Sequence, residues 1–185
     1  CRGAWKQRAS GSSTCTEATV AEALQPRPHT VTRRRRETDD TVTMVLRPVE
    51  GAPVRCAPGQ FTMLYAFGVG EVPVSFSGDP ADGRTLVHTV RAVGSVTEAL
   101  CRAPPGATIG VRGPYGAGWS LGEPAGDLLV VAGGLGLAPL RPAVLEAFAD
   151  GARQGRLRVL VGARSPDQVL FGGDLARWRA RGAKR

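Results

Sequence analysis

The chain has 185 residues and a formal net charge of +8. Hydrophobic residues at 42% exclude a disordered chain, and 25 glycines with 14 prolines point to a globular one rich in turns. Aromatic residues at 5% argue against the stacking platforms that hold single-stranded nucleic acid, and much of the basic excess lies in the run Arg33, Arg34, Arg35, Arg36, in the N-terminal stretch and in the last nine residues. That distribution reads as solvated ends, so no nucleic-acid partner is expected.

Residues 1–27 show little periodicity, and Ser10-Gly11-Ser12-Ser13-Thr14 reads as a linker. This stretch is expected to be a disordered or foreign N-terminal extension. From 28 to 122, short β-type runs alternate with turn signals. Residues 41–46 put Val42, Met44 and Leu46 on one face. Pro58-Gly59 is a turn before a strand at 60–66, and another strand is expected at 73–77. The loop from Gly78 to Gly83 leads to a strand at 85–93, and a last strand at 108–112 follows the Gly106 turn. Several strands with little helix predict a small antiparallel β-barrel. One helix interrupts it. Ser95-Val96-Thr97-Glu98 is an S-x-x-E capping box, so a helix is expected from Val96, just after Gly94, with its N-terminal dipole end free to seat a phosphate.

Residues 123–185 change texture. The apolar run 127–132 reads as a strand buried on both faces. After it come Gly133, Gly134 and Gly136, then a helix carrying Leu140, Val144 and Phe148 and stopping at Gly151. A second buried strand is expected at 157–161. Ser165-Pro166-Asp167-Gln168 is a second capping box, with Pro166 at the first helical position. This β-α-β-α order opens a doubly wound parallel sheet. Two strand signals are too few to complete one, so the fold class expected is a small antiparallel β-barrel plus α/β, with a truncated doubly wound parallel-sheet domain.

Glycines between a buried strand and a helix let the backbone approach a pyrophosphate closely. Pro139 stands where the usual G-x-G-x-x-G has its third glycine, and a tight strand–helix turn alone would explain the loop as well. Cys1, Cys15, Cys56 and Cys101 form no C-x-x-C pair and have no neighbouring histidine. No structural zinc site is expected, and the thiols read as reduced, as in a cytoplasmic protein. No apolar run nears the ~20 residues of a membrane span, and the N-terminal stretch lacks the apolar core of a secretory signal. His88 lies on a barrel strand and reads as structural.

Taken in order, five motifs carry a resemblance. They are Pro58-Gly59-Gln60-Phe61, Pro73-Val74-Ser75-Phe76-Ser77, Gly94-Ser95-Val96-Thr97, Gly113-Pro114-Tyr115-Gly116, and Gly133-Gly134-Leu135-Gly136-Leu137-Ala138-Pro139-Leu140. Together they resemble the ferredoxin–NADP reductase superfamily, above all its hydrogenase gamma subunits and dihydroorotate dehydrogenase electron-transfer subunits, from about His29 to Trp178. The resemblance implies a flavoprotein oxidoreductase that moves electrons between NAD(P)H and an iron–sulfur or hydrogenase-type partner subunit. Ser75 is then the catalytic candidate, offering its hydroxyl near flavin N5, with Pro73, Val74 and Phe76 around the ring. Gly94, Val96 and Thr97 would bind the flavin phosphate. Gly133, Gly134, Gly136, Ala138, Pro139 and Arg164 would hold the nucleotide.

The family pattern is Arg-x-Tyr-Ser, whereas this chain has Val72 and Val74 at the first and third positions. FAD is the expected flavin, with FMN the alternative, and Arg91 is the candidate for the missing charge. Each residue also has a plain reading: Ser75 as a strand serine, Thr97 as a first-turn residue, Arg91 as a solvated strand arginine, and Ser165 beside Arg164 as an N-cap. A non-catalytic flavin-barrel scaffold with an incomplete nucleotide site is the second functional reading.

Overall fold

The computed structural model describes residues 24–121, 126–149 and 155–181. Most of the N-terminal extension expected at 1–27 lies outside them, as do Gly151 and the end of the chain.

Six strands form one antiparallel sheet: β1 (Arg27–Arg36), β2 (Thr41–Pro48), β3 (Phe61–Ala66), β4 (Gly70–Ser75), β5 (Leu86–Arg91) and β6 (Thr108–Tyr115). Their order across the sheet is β4-β3-β6-β1-β2-β5. The two outer strands meet where Phe76 pairs with His88 and the Ser77 N–H donates to Val87 O at 2.9 Å. That contact curls the sheet into a barrel, which protects its edges. Period-2 burial explains the strands. Thr62, Leu64 and Ala66 of β3 face inward, while Phe61, Met63 and Tyr65 are half-exposed. The interior is filled by Val31, Met44, Leu46, Leu64, Leu86 and Val111. Helix α1 (Ser95–Arg102) closes one side with Leu100 and Cys101 buried.

The basic run 33–36 belongs to β1, not to a solvated end. A bulge between Val31 and Arg33 shifts the register, after which Arg34 pairs with Met44 and Arg36 with Val42. The arginines stay exposed but are tied down. Arg35 pairs with Glu37, Arg36 pairs with Asp39, and Arg34 Nε donates to Cys101 O at 2.8 Å. Consecutive charges hid the strand because no apolar alternation marks its second half.

The second unit has two parallel strands, β7 (Leu128–Gly133) and β8 (Leu157–Gly162), paired in register from Leu128↔Leu157 to Gly133↔Gly162. Helices α2 (Leu137–Ala149) and α3 (Gly172–Ala180) bury Val130, Ala132, Val144 and Trp178 against it. Burial on both faces is not observed among the described residues. Leu129, Val131 and Leu160 on the far face are 58%, 64% and 48% exposed. The helix expected from the second capping box is only a 3₁₀ turn, Pro166–Gln168. Leu170 and Phe171 must first be buried, and Phe171 does so in the left-handed region at φ 54° before α3 starts.

Candidate functional site

The barrel and the second unit meet around two cavities. The first, of 430 Å³, has Val72, Pro73, Val74 and Ser75 of β4 on one wall and Leu135, Gly136, Ala138 and Pro139 on the other, with Thr89, Arg91 and Thr97 at its sides. The second, of 660 Å³, opens between the 38–41 turn of the barrel and the glycine loop. It takes in Asp40, Arg91, Gly133, Gly134, Gly136 and Arg164. Both volumes suit a cofactor-sized ligand. Arg91 and Gly136 border both.

Strand pairing places Ser75. It sits at the end of β4 opposite Phe61, and its carbonyl accepts a 3.0 Å hydrogen bond from His88 Nδ1. That bond fixes the His88 tautomer, leaving Nε2 to accept from the Thr62 hydroxyl at 3.0 Å. Burial pushes the His88 pKa down to about 4, so the ring is neutral near neutrality and acts as a strut under Ser75. The Ser75 hydroxyl has no partner among the described residues and is open to the cavity.

Helix α1 begins at the rim. The sequence pattern placed the cap at Ser95 and Glu98, but the observed cap is one residue earlier, at Gly94 with Thr97. Thr97 Oγ1 accepts from the N–H groups of Val93 and Gly94 at 2.9 and 3.0 Å and donates to Gly94 O at 2.9 Å. Its hydroxyl therefore shapes the 93–94 turn, and the first-turn N–H groups are left as anion donors. Val96 packs against Gly70 and the barrel core rather than lining either cavity. Phe76 is likewise in the core, 3% exposed.

The glycine loop turns through a 3₁₀ helix, Gly134–Gly136, with Gly134 at φ +50°. A Cβ built on Gly94, Gly133 or Gly136 meets nothing within 4 Å. The protein's own packing does not require glycine at these three places. Their exposed backbone fits the close approach of a phosphate group, as a flavin or a pyridine nucleotide would need.

Sequence reasoning missed two groups. Asp40 accepts from Thr38 and Thr41 hydroxyls at 2.9 and 2.8 Å, and from Arg91 Nε at 2.6 Å. The Thr41 hydroxyl, with Arg91 and Thr38, holds the Asp40 carboxyl below the usual carboxylate range. Arg91 is thus a fixed cation rather than a freely solvated one. The Asp39-Asp40-Thr41 turn before a strand was the available signal. The other missed residue, Arg141, stands alone as a charge in an otherwise apolar stretch of helix, and that isolation was its signal.

No protein-family model matches the chain. Over 115 residues it is 42% identical to the sulfhydrogenase 1 subunit gamma of Pyrococcus furiosus, covering 62% of this chain and 39% of that protein. It is also 42% identical over 123 residues to the probable dihydroorotate dehydrogenase B (NAD(+)), electron transfer subunit, of Methanopyrus kandleri, covering 66% of this chain and 44% of that one. Among solved structures, the flavohem-like FAD/NAD binding domain of nitric oxide dioxygenase from Vibrio cholerae superposes with a TM-score of 0.74 at 20% identity, over 85% of this chain and 70% of that one. The fold is the ferredoxin reductase-like one. The chain spans about two fifths of the length of these two relatives.

Proposed function

We propose that the chain is the flavin- and nucleotide-binding part of an oxidoreductase that moves electrons between NAD(P)H and an iron–sulfur or hydrogenase-type partner subunit. One observation carries this reading: Ser75 and its strand share a single 430 Å³ cavity with the glycine loop, Leu135 to Pro139. A flavin, when bound, supplies the chemistry by accepting hydride and releasing electrons one or two at a time.

The chain's own residues bind and orient. Ser75 offers a hydroxyl at the cavity wall without covering it, and Val72, Val74 and Val90 make that wall apolar. The first turn of α1 offers N–H groups to the flavin phosphate, with Gly94 allowing approach. Arg91, clamped by Asp40, supplies the cation that Val72 lacks. Gly133, Gly134 and Gly136 receive the nucleotide pyrophosphate, and Arg164 faces the end of the larger cavity where an adenosine ribose would lie. FAD is the flavin proposed, with FMN the alternative. The names of the relatives, which are subunits of a sulfhydrogenase and of a dihydroorotate dehydrogenase, support a partnered electron carrier over a free-standing enzyme.

The test is purification of the full-length protein, its visible spectrum, and chromatography of the acid-released cofactor. Flavin bands and stoichiometric FAD are expected. A colourless protein that takes up neither FAD nor FMN would refute the reading.

A further inference from the structure

Arg141 lies one turn into α2, directly after the glycine loop, and its side chain is 17% exposed. Its Nη1 donates to the carbonyl of Ser77, across to the barrel and two residues beyond Ser75. Nε donates to Asp174 Oδ2 at 2.7 Å, and the guanidinium carbon is 5.2 Å from the centre of the Phe171 ring. Asp174 is 3% exposed and takes a second arginine, Arg177, on its other oxygen. Burial pushes the Asp174 carboxyl up, but hydrogen bonds and charge from Arg141 and Arg177 outweigh it and hold the pKa below the usual range.

On the barrel side the anchor is equally fixed. The Ser77 hydroxyl is 3.0 Å from Thr89 Oγ1, Thr89 is 2.9 Å from Thr43 Oγ1, and Thr43 donates to Glu37 at 2.6 Å. Hydrogen bonds thus run from Glu37 through Thr43 and Thr89 to the side chain of Ser77, the residue whose carbonyl Arg141 holds. An arginine held by a carboxylate, a ring face and a carbonyl at once has few other places to go.

We propose that Arg141 is a positioning residue: it pins the glycine-loop helix to the end of β4 and so sets the distance between the Leu135–Pro139 wall and the Pro73–Ser75 wall. Its role in hydride transfer rests on the function proposed above. A misplacement of about 1 Å between reacting partners can cost on the order of 100-fold in rate, so a loosened pin should be felt in the chemical step more than in nucleotide affinity.

The experiment compares full-length wild type with Arg141→Met and Arg141→Lys. Amide hydrogen exchange, measured without nucleotide, should rise about 10-fold in peptides spanning 75–79 and 137–149 in Arg141→Met, and stay unchanged over 41–48. Anaerobic stopped-flow with NADH or NADPH should show a limiting rate of flavin reduction at least about 10-fold lower, with nucleotide affinity changed less than about 3-fold, and partial rescue by lysine. Unchanged exchange overturns the pin. Raised exchange with an unchanged limiting rate reduces Arg141 to a structural tie and overturns its positioning role. If wild type itself is not reduced, the proposed function fails, and exchange alone decides whether Arg141 holds the two units.

Discussion

At the scale of single residues, the chemistry rests on side chains left without internal work. The Ser75 hydroxyl is open to the cavity, whereas the Thr97 hydroxyl is spent on the 93–94 turn. Removing the first should therefore touch only the reacting geometry. Ser75→Ala is expected to slow flavin reduction by about 10-fold, or ~1.4 kcal/mol, with flavin content unchanged. Stopped-flow bleaching at the wild-type rate would remove Ser75 from the mechanism. Gly94→Val probes the neighbouring phosphate seat cleanly. Gly94 has extended backbone, φ −175°, and no protein atom within 4 Å of a Cβ, so the variant should fold normally and lose flavin on gel filtration. Full retention would place the phosphate elsewhere. Pro73, Val74, Ser75, Thr97, Gly136, Ala138 and Pro139, expected from local motifs as flavin or nucleotide contacts, line one cavity. Asp40 and Arg141 carry local signals, a turn before a strand and an isolated charge, but not the identity of their partners. Their roles depend on partners 51 and 64 positions away in the chain, which no local pattern encodes.

At the scale of elements, pattern reading succeeded where burial has one period and failed where tertiary contacts decide. The antiparallel strands, the glycine loop and its helix follow from alternation and from the Leu140, Val144, Phe148 stripe. Strand β1 was obscured by four adjacent arginines, three of which are held by Glu37, Asp39 and the Cys101 carbonyl. The capping box at Ser165 produced only a short 3₁₀ turn because burying Leu170 and Phe171 outweighed helix propensity. A pH test belongs at this level, since His88 ties β5 to β3 and β4 as a buried neutral ring. Its folded pKa, about 4, is below the unfolded value of about 6.5. Its stabilising contribution is therefore complete above about pH 6.5 and is lost as pH falls towards 4, with a slope of at most about 1.4 kcal/mol per pH unit. The midpoint of thermal unfolding should drop between pH 7.5 and 5 in wild type, and drop less in His88→Gln. An equal drop in both would assign the acid sensitivity to other groups, His29 among them, whose pKa burial also lowers.

At the scale of the whole molecule, the barrel and the parallel-sheet unit each have their own core, and function is assigned to the seam between them. The two cavities, the clamped Arg91 and the Arg141 tie all lie along that seam. Fold class was legible because five short motifs fall in the right order. The seam's geometry was not, because it arises from how two separately patterned units pack. No described helix is long and apolar enough to cross a membrane. On the proposed function, the β4 wall and the glycine loop bring a reduced nicotinamide and a flavin together. The most direct measurement is an anaerobic titration of the flavin-loaded full-length protein with NADH and, separately, NADPH, followed in the visible flavin band. Stoichiometric bleaching by at least one of them is expected. A flavin that stays oxidised with both, yet is bleached by dithionite, would contradict that role for the cavity.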